Sequence, residues 1–327
     1  MNNTFLTIIL VFFVQSFAFG QFSRENIETD SSNIKIVRNS AYKTYTETYK
    51  HKNLEWYSVH FIKDTTRLHT EGWSLKDGEN IGVWNEYNFD GELLFTRDYD
   101  NATCTINKTL FPFHNLLEKM KKKADQLIID TYSKTFFDNH VRFNFDCTAH
   151  DKDGYVGNWT EPMKRKPTEF LFQYQVKLKT SKWYDEMITI ELDEQGTYIL
   201  KKGIGNNYGF EKATTKHKTF QIDEHKALDI AKTKGLKVNP SEEVIAFLTW
   251  ESFRTKTFFN GQFMYYIIEL TKEIKDIKEK GRSKIIYKYN VYTFNPWSGE
   301  FIEKKKMKRV KTWGQRSGFT SGLLPDD

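Results

Sequence analysis

The chain has 327 residues, of which 28% are charged and 16% aromatic, with 6 prolines and a formal net charge of +6. So aromatic and proline-poor a composition excludes a linker or a disordered chain, and the length suggests two or three compact units. The basic excess comes from lysines interleaved with acids and has no reader motif beside it, which argues against nucleic acid as a partner.

From the N-terminus, residues 1–20 carry no charged side chain. Phe5 to Val14 is a nearly unbroken apolar run, too short to span a bilayer with ordinary flanks. Ala18 and Gly20 then place small residues three and one before a cut behind Gly20. Residues 1–20 are therefore expected to be a secretory signal peptide, with the mature chain periplasmic or secreted and without a transmembrane segment. Residues 21–45 are polar, without a clear period, and are expected to be a leader.

Residues 46–112 read as short strands rich in aromatic and β-branched residues, with Asp77-Gly78 and Asp90-Gly91 as turns between them. The stretch Gly82-Val-Trp84-Asn-Glu86-Tyr87-Asn-Phe-Asp90-Gly91-Glu-Leu93 resembles the hairpin of bacterial MORN-type repeats, and Gly72-Trp73 with Asp77-Gly78 resembles a neighbouring copy. In that pattern glycines make the turns while Trp84, Tyr87 and Leu93 cover the sheet. The resemblance implies an interaction module, in some relatives antitoxin-like, and brings no catalytic residue.

After Cys104 the period changes. Asn115 and Glu118 form a candidate capping box, and Leu116, Met120, Ala124, Leu127 and Ile128 fall on one helical face as far as about Tyr132. Strand-like runs follow, HVRFNFD, EFLFQYQVKLKT, MITIELD and TYILKK, with a polar loop over 148–167. Residues 206–327 repeat this plan and end in a tail. Asp223 is placed as an N-cap, Ile222 and Ala227 as a hydrophobic staple, and Gly235 as a left-handed C-cap onto which Leu236 closes. Asn260-Gly261 is a strong hairpin signal. The basic run Lys304 to Lys311 reads as an exposed strand edge guarded by lysines.

The segment Ala227-Leu228-Asp-Ile-Ala231, Gly235 and Trp297-Ser298-Gly299-Glu300 resembles a PepSY-type domain. Asn295-Pro296 departs from that family's usual pair, and 272–284 looks inserted. The resemblance implies a cystatin-like fold and a secreted module proposed to bind or restrain peptidases. The expected fold class is α+β: an N-terminal β-hairpin region, then two helix-on-antiparallel-sheet units over 113–205 and 206–327.

Reactive constellations are sparse. Asp151-Lys-Asp153-Gly154 lacks two oxygen ligands of a calcium loop. His60 and His69 could face each other across a hairpin, but no second pair at metal spacing supports them. Gly203 to Gly209 has no helix after it to cradle a phosphate. Gly318 to Gly322 is one residue off a nucleophile elbow. No catalytic, cofactor or metal residue is assigned. Tryptophans 56, 73, 84, 183, 250 and 297 sit in or beside strands, where core packing competes with stacking on sugars. Cys104 and Cys147, the two cysteines, suit a disulfide in an exported chain.

These features point to a non-enzymatic exported binding or regulatory protein, with a protein or peptide partner, the alternatives being a hydrolase with a dispersed site and an immunity-like module. Binding is expected at a sheet face or edge, with Phe258, Phe259 and Trp297 as contacts. For each of the three aromatics, burial in the core competes with that role.

Overall fold

The computed structural model describes residues 22–151, 154–180, 182–199, 208–210, 212–214, 219–238, 245–251, 261–279, 282–313, 318–320 and 323–326. The chain divides into two compact units, Met1–His114 with Thr160–Met163, and Asn115–Trp159 with Lys164–Asp327. Strands make up 52% of the structure and helices 14%. This corrects the α+β expectation: the architecture is mostly β, with large antiparallel sheets and, among the described residues, three short helices. The excess strand comes from segments whose polarity hid them. Parts of the expected leader, of the loop 148–167 and of the insertion 272–284 are strands of sheets that face water on at least one side, and such strands need few apolar residues.

The first unit is one antiparallel sheet of eight strands in sequence order: β1 (Ser23–Glu28), β2 (Ser32–Arg38), β3 (Tyr42–Tyr49), β4 (Glu55–Phe61), β5 (Leu68–Ser74), β6 (Asn80–Tyr87), β7 (Leu93–Asp98) and β8 (Thr103–Ile106). All eight positions of β3 are half-buried, so neither face is sealed by a second layer along that strand. Aromatic rings cover one another along the sheet instead. Trp56 meets Trp73 edge-on at 4.9 Å, and Tyr42 stacks on His69 at 4.9 Å. The β5–β6 and β6–β7 turns are copies: Leu75 N–H donates to Glu79 and Gly78 back to Leu75, as Asn88 does to Glu92 and Gly91 to Asn88. Gly78 (φ 92°) and Gly91 (φ 85°) supply the left-handed residue each turn requires.

Gly72 does something the turn glycines do not. It sits mid-strand at a bulge, and a Cβ there would lie 2.2 Å from Trp84 Cδ2. The indole of Trp84 therefore lies directly on the backbone of β5, and its Nε1–H donates to the Trp73 carbonyl at 2.8 Å.

The second unit holds two sheets. Strands β9 (Val141–Asp151), β10 (Gly154–Asn158), β11 (Glu169–Val176) and β12 (Tyr184–Asp193) pair in the order β10-β9-β11-β12. Strands β13 (Ile245–Glu251), β14 (Gln262–Glu279), β15 (Arg282–Asn295), β16 (Glu300–Trp313) and β17 (Gly318–Thr320) follow in sequence order, and β18 (Leu324–Pro325) also pairs with β16. Helix α1 (His114–Thr131) buries Leu117, Met120, Ala124 and Ile128, a stripe at helical spacing. It begins at His114, so Asn115 lies inside it and does not cap it. The short helix α2 (Lys134–His140) is capped by Ser133, whose hydroxyl accepts from Phe136 N–H.

Helix α3 (Glu224–Thr233) is bounded as its sequence dictates. The Asp223 carboxylate accepts from Lys226 N–H at 2.8 Å, and Ile222 and Ala227 are both fully buried. At the far end Leu236 N–H bonds the Ala231 carbonyl and Gly235 N–H that of Lys232, the paired bonds of a Schellman motif, with Gly235 at φ 90°. The core of this unit is aromatic: Tyr132, Phe136, Phe220, Phe263 and Trp297 pack ring against ring. Burying each such side chain is worth about 1.5–3 kcal/mol. Among the described residues no helix is long and apolar enough to cross a membrane.

Candidate functional site

Burial in the second large sheet stops part-way along its strands. Among the residues whose burial is described, it ends at Ile267 in β14 and covers only Val291 to Phe294 in β15. A polar belt marks the boundary, where the Glu269 carboxylate accepts from Lys237 N–H at 3.1 Å, Asn290 Nδ2 at 2.7 Å and Tyr292 O–H at 3.0 Å. Burial, with the Glu269 bond and charge beside it, pushes the Tyr292 phenol above its ordinary range. Past this belt β14, β15 and β16 continue as a three-stranded arm, paired as far as Glu279 with Arg282 and Ser283 with Trp313. Here Leu270 to Glu273 are exposed and Ser283 to Asn290 half-buried.

Successive residues of a strand point to opposite sides, and each face of the arm mixes apolar and charged rows. One face carries Leu270, Tyr289 and Met307 in line across the three strands, with Glu273, Tyr287 and Arg309 in line beside them. Tyr287 stacks beside Tyr289 at 6.5 Å. The other face carries Lys272, Lys288 and Lys308, again directly opposite one another, next to an apolar row of Ile274, Ile286 and Val310. Like charges in opposed positions repel, so this row weakens the sheet that bears it. The strand β16 as a whole has Lys304, Lys305, Lys306, Lys308, Arg309 and Lys311 against Glu300 and Glu303.

One carboxylate is seated in that row. Asp326 lies 2.9 Å from Lys288 Nζ, which reaches it past β16, and 3.8 Å from Lys308 Nζ. The hydrogen bond from Lys288, then the charges of Lys288, Lys308 and Lys306, hold the Asp326 carboxyl below the usual aspartate range. The segment that delivers it pairs Leu324 with Lys308 and Pro325 with Met307, and Asp326 N–H donates to the Lys306 carbonyl at 3.1 Å.

Comparison with protein families, curated proteins and solved structures returned no match.

The residues singled out from sequence are distributed as follows. Phe258 and Phe259 lie outside the described residues, as does Asn260. Trp297 is only 4% exposed. It stacks on Tyr132 at 5.5 Å and meets Phe220 at 4.5 Å, so its side chain belongs to the core and not to a contact surface. Cys104 is a free thiol in β8, and the side chain of Cys147, its expected partner, lies outside the described residues. Burial pushes the Cys104 thiol up to about 12, with Arg97 opposing. His60 packs edge-on to Tyr45, while His69 lies between Tyr42 and Phe61, so the two serve separate aromatic clusters. Trp250 is buried against Phe263, and Trp183 lies between the cations of Arg142 (4.5 Å) and Lys177 (4.6 Å). The side chains of the Asp151–Gly154 turn, residues 203–207, and Ser321 with Gly322 lie outside the described residues, apart from Gly154 itself.

The arm was partly visible beforehand, as an insertion at 272–284 and a lysine run at 304–311. Its lysine row was not, because opposition across strands depends on register, and register here includes bulges between Leu270 and Lys272 and between Ile274 and Ile277.

Proposed function

We propose that this chain is a non-enzymatic exported binding protein that engages a protein partner through the arm formed by β14, β15 and β16. The observation that supports this is the arm itself: a sheet carried beyond its buried core, with an apolar row of Leu270, Tyr289 and Met307 on one face and a row of Lys272, Lys288 and Lys308 on the other. Folding stability alone favours neither feature. Exposed Leu270 adds nothing to the core, and the opposed lysines repel. Both are useful to a surface that binds a partner by shape and charge together. The MORN-type hairpins then serve as a second scaffold within the chain, held rigid by the seating of Trp84 on Gly72.

Site-specific photocrosslinking tests this. A benzoylphenylalanine placed at Tyr289 on the arm should yield a discrete adduct in envelope extract. The same probe at Val83, exposed in β6 of the first unit, should not. An adduct at Val83 with none at Tyr289 would move the binding function to the MORN-type hairpins and reject the arm.

A further inference from the structure

The arm's outer strand is β16, and its free edge is partly occupied by the chain itself. β17 pairs with Lys311 to Trp313 and β18 with Met307 and Lys308. The second of these contacts is weak by construction. It is two residues long, and one of them is Pro325, which has no N–H to donate to the ladder. Beyond the Asp326 N–H bond to the Lys306 carbonyl, its hold on the sheet is electrostatic, through the Asp326 carboxylate on Lys288 and Lys308. Leu324 is 45% exposed, so the segment gains little from burial.

We propose, resting on the arm as the binding surface, that the β16 edge receives an extended acidic partner segment, added as a strand where Leu323–Asp326 now lies. Both faces of β16 are basic beside that edge, with Lys304, Lys306 and Lys308 on one and Lys305, Arg309 and Lys311 on the other. A strand added beside β16 points its side chains alternately toward these two rows. Carboxylates on either face of the added strand therefore meet cations. A partner strand without proline would also complete hydrogen bonds that Pro325 leaves unmade. Asp326 thus marks the carboxylate subsite, and its segment is a resident competitor that any partner must displace.

The probe is a fluorescein-labelled peptide of alternating Val and Asp, followed by anisotropy on the full chain. Controls are a Val–Lys peptide, the Val–Asp peptide with alternate backbone nitrogens methylated, and oligothymidylate. Asp326→Asn loosens the resident segment and should tighten Val–Asp binding about three- to tenfold. The pair Lys288→Gln with Lys308→Gln should weaken it about tenfold or more, and added salt should do the same. Both changes lie on the exposed arm, and circular dichroism melts confirm folding. The Val–Lys and methylated peptides should not bind.

Equal binding of the methylated peptide or of oligothymidylate would overturn the proposal, since a general anion surface needs no strand pairing. So would an Asp326→Asn chain that binds Val–Asp no better than the parent. If Tyr289 crosslinks a partner while the probe fails, strand addition is rejected and the arm stands as the contact surface. If neither occurs, both fall.

Discussion

Trp297 shows how a single side chain can carry a binding signature and serve the core. Its ring meets Tyr132, Phe136 and Phe220 within 5.5 Å, yet its Nε1–H is buried with no hydrogen-bond partner among the described residues. The ring contributes by packing and the N–H does not, so Trp297→Ala should cost about 3–5 kcal/mol. Trp297→Phe, which deletes the orphan donor and keeps most of the area, should cost less than half of that in urea unfolding. Equal losses for both would show that the N–H is satisfied after all. Cys104 gives a second test at this scale. With its pKa near 12, roughly one thiol in ten thousand is ionised at pH 8, and native alkylation should be correspondingly slow. Denaturation without reductant should release rapid labelling. A chain that stays unlabelled when denatured, and labels only after reduction, would show a bridge to Cys147 in place of the free thiol.

Among the elements, β5 and β6 are fixed to each other by the Gly72 and Trp84 contact. Gly72→Ala should destabilise the first unit by about 1–3 kcal/mol, because the indole must leave its seat. In a Trp84→Ala background the same change should be nearly harmless, and that coupling in a double-mutant cycle is the check. Additive losses would mean that the backbone, not the ring, limits the site. The MORN-type pattern announced the glycines and the tryptophan but placed Gly72 beside a turn. Contact between positions 72 and 84 depends on strand register, which no short motif encodes. Helix α3 was legible to its last residue because every signal is local: Asp223, Ile222 with Ala227, Gly235 and Leu236 lie within a few positions of the bonds they make. Helix α2 was missed although Ser133 offered an N-cap, since seven residues are too few for a helical period to emerge. The strands β1 to β3 hid for the opposite reason, as a half-solvated sheet tolerates polar residues at most positions.

For the molecule as a whole, the Asp326 contact makes one surface responsive to acid. The folded pKa lies below the ordinary value of 3.8, so the contact contributes fully above that value and is lost as pH falls through the depressed one. The protection factor of the Asp326 amide, which corrects for intrinsic exchange, should therefore fall only below the ordinary aspartate value of 3.8 and stay unchanged between neutral pH and that value. A fall near pH 6 would implicate another group. The lysine run on β16 could be read from the chain, whereas its alignment with Lys272, Lys288 and Asp326 joins four distant stretches and could not. The strand order of the first unit reaches further still. Each of its eight strands pairs with its immediate neighbours in the chain, so every closure spans one short turn and none waits for a distant segment. Such a sheet has a low contact order and can grow hairpin by hairpin as successive residues become free, which suits a chain that emerges from a narrow channel one end first.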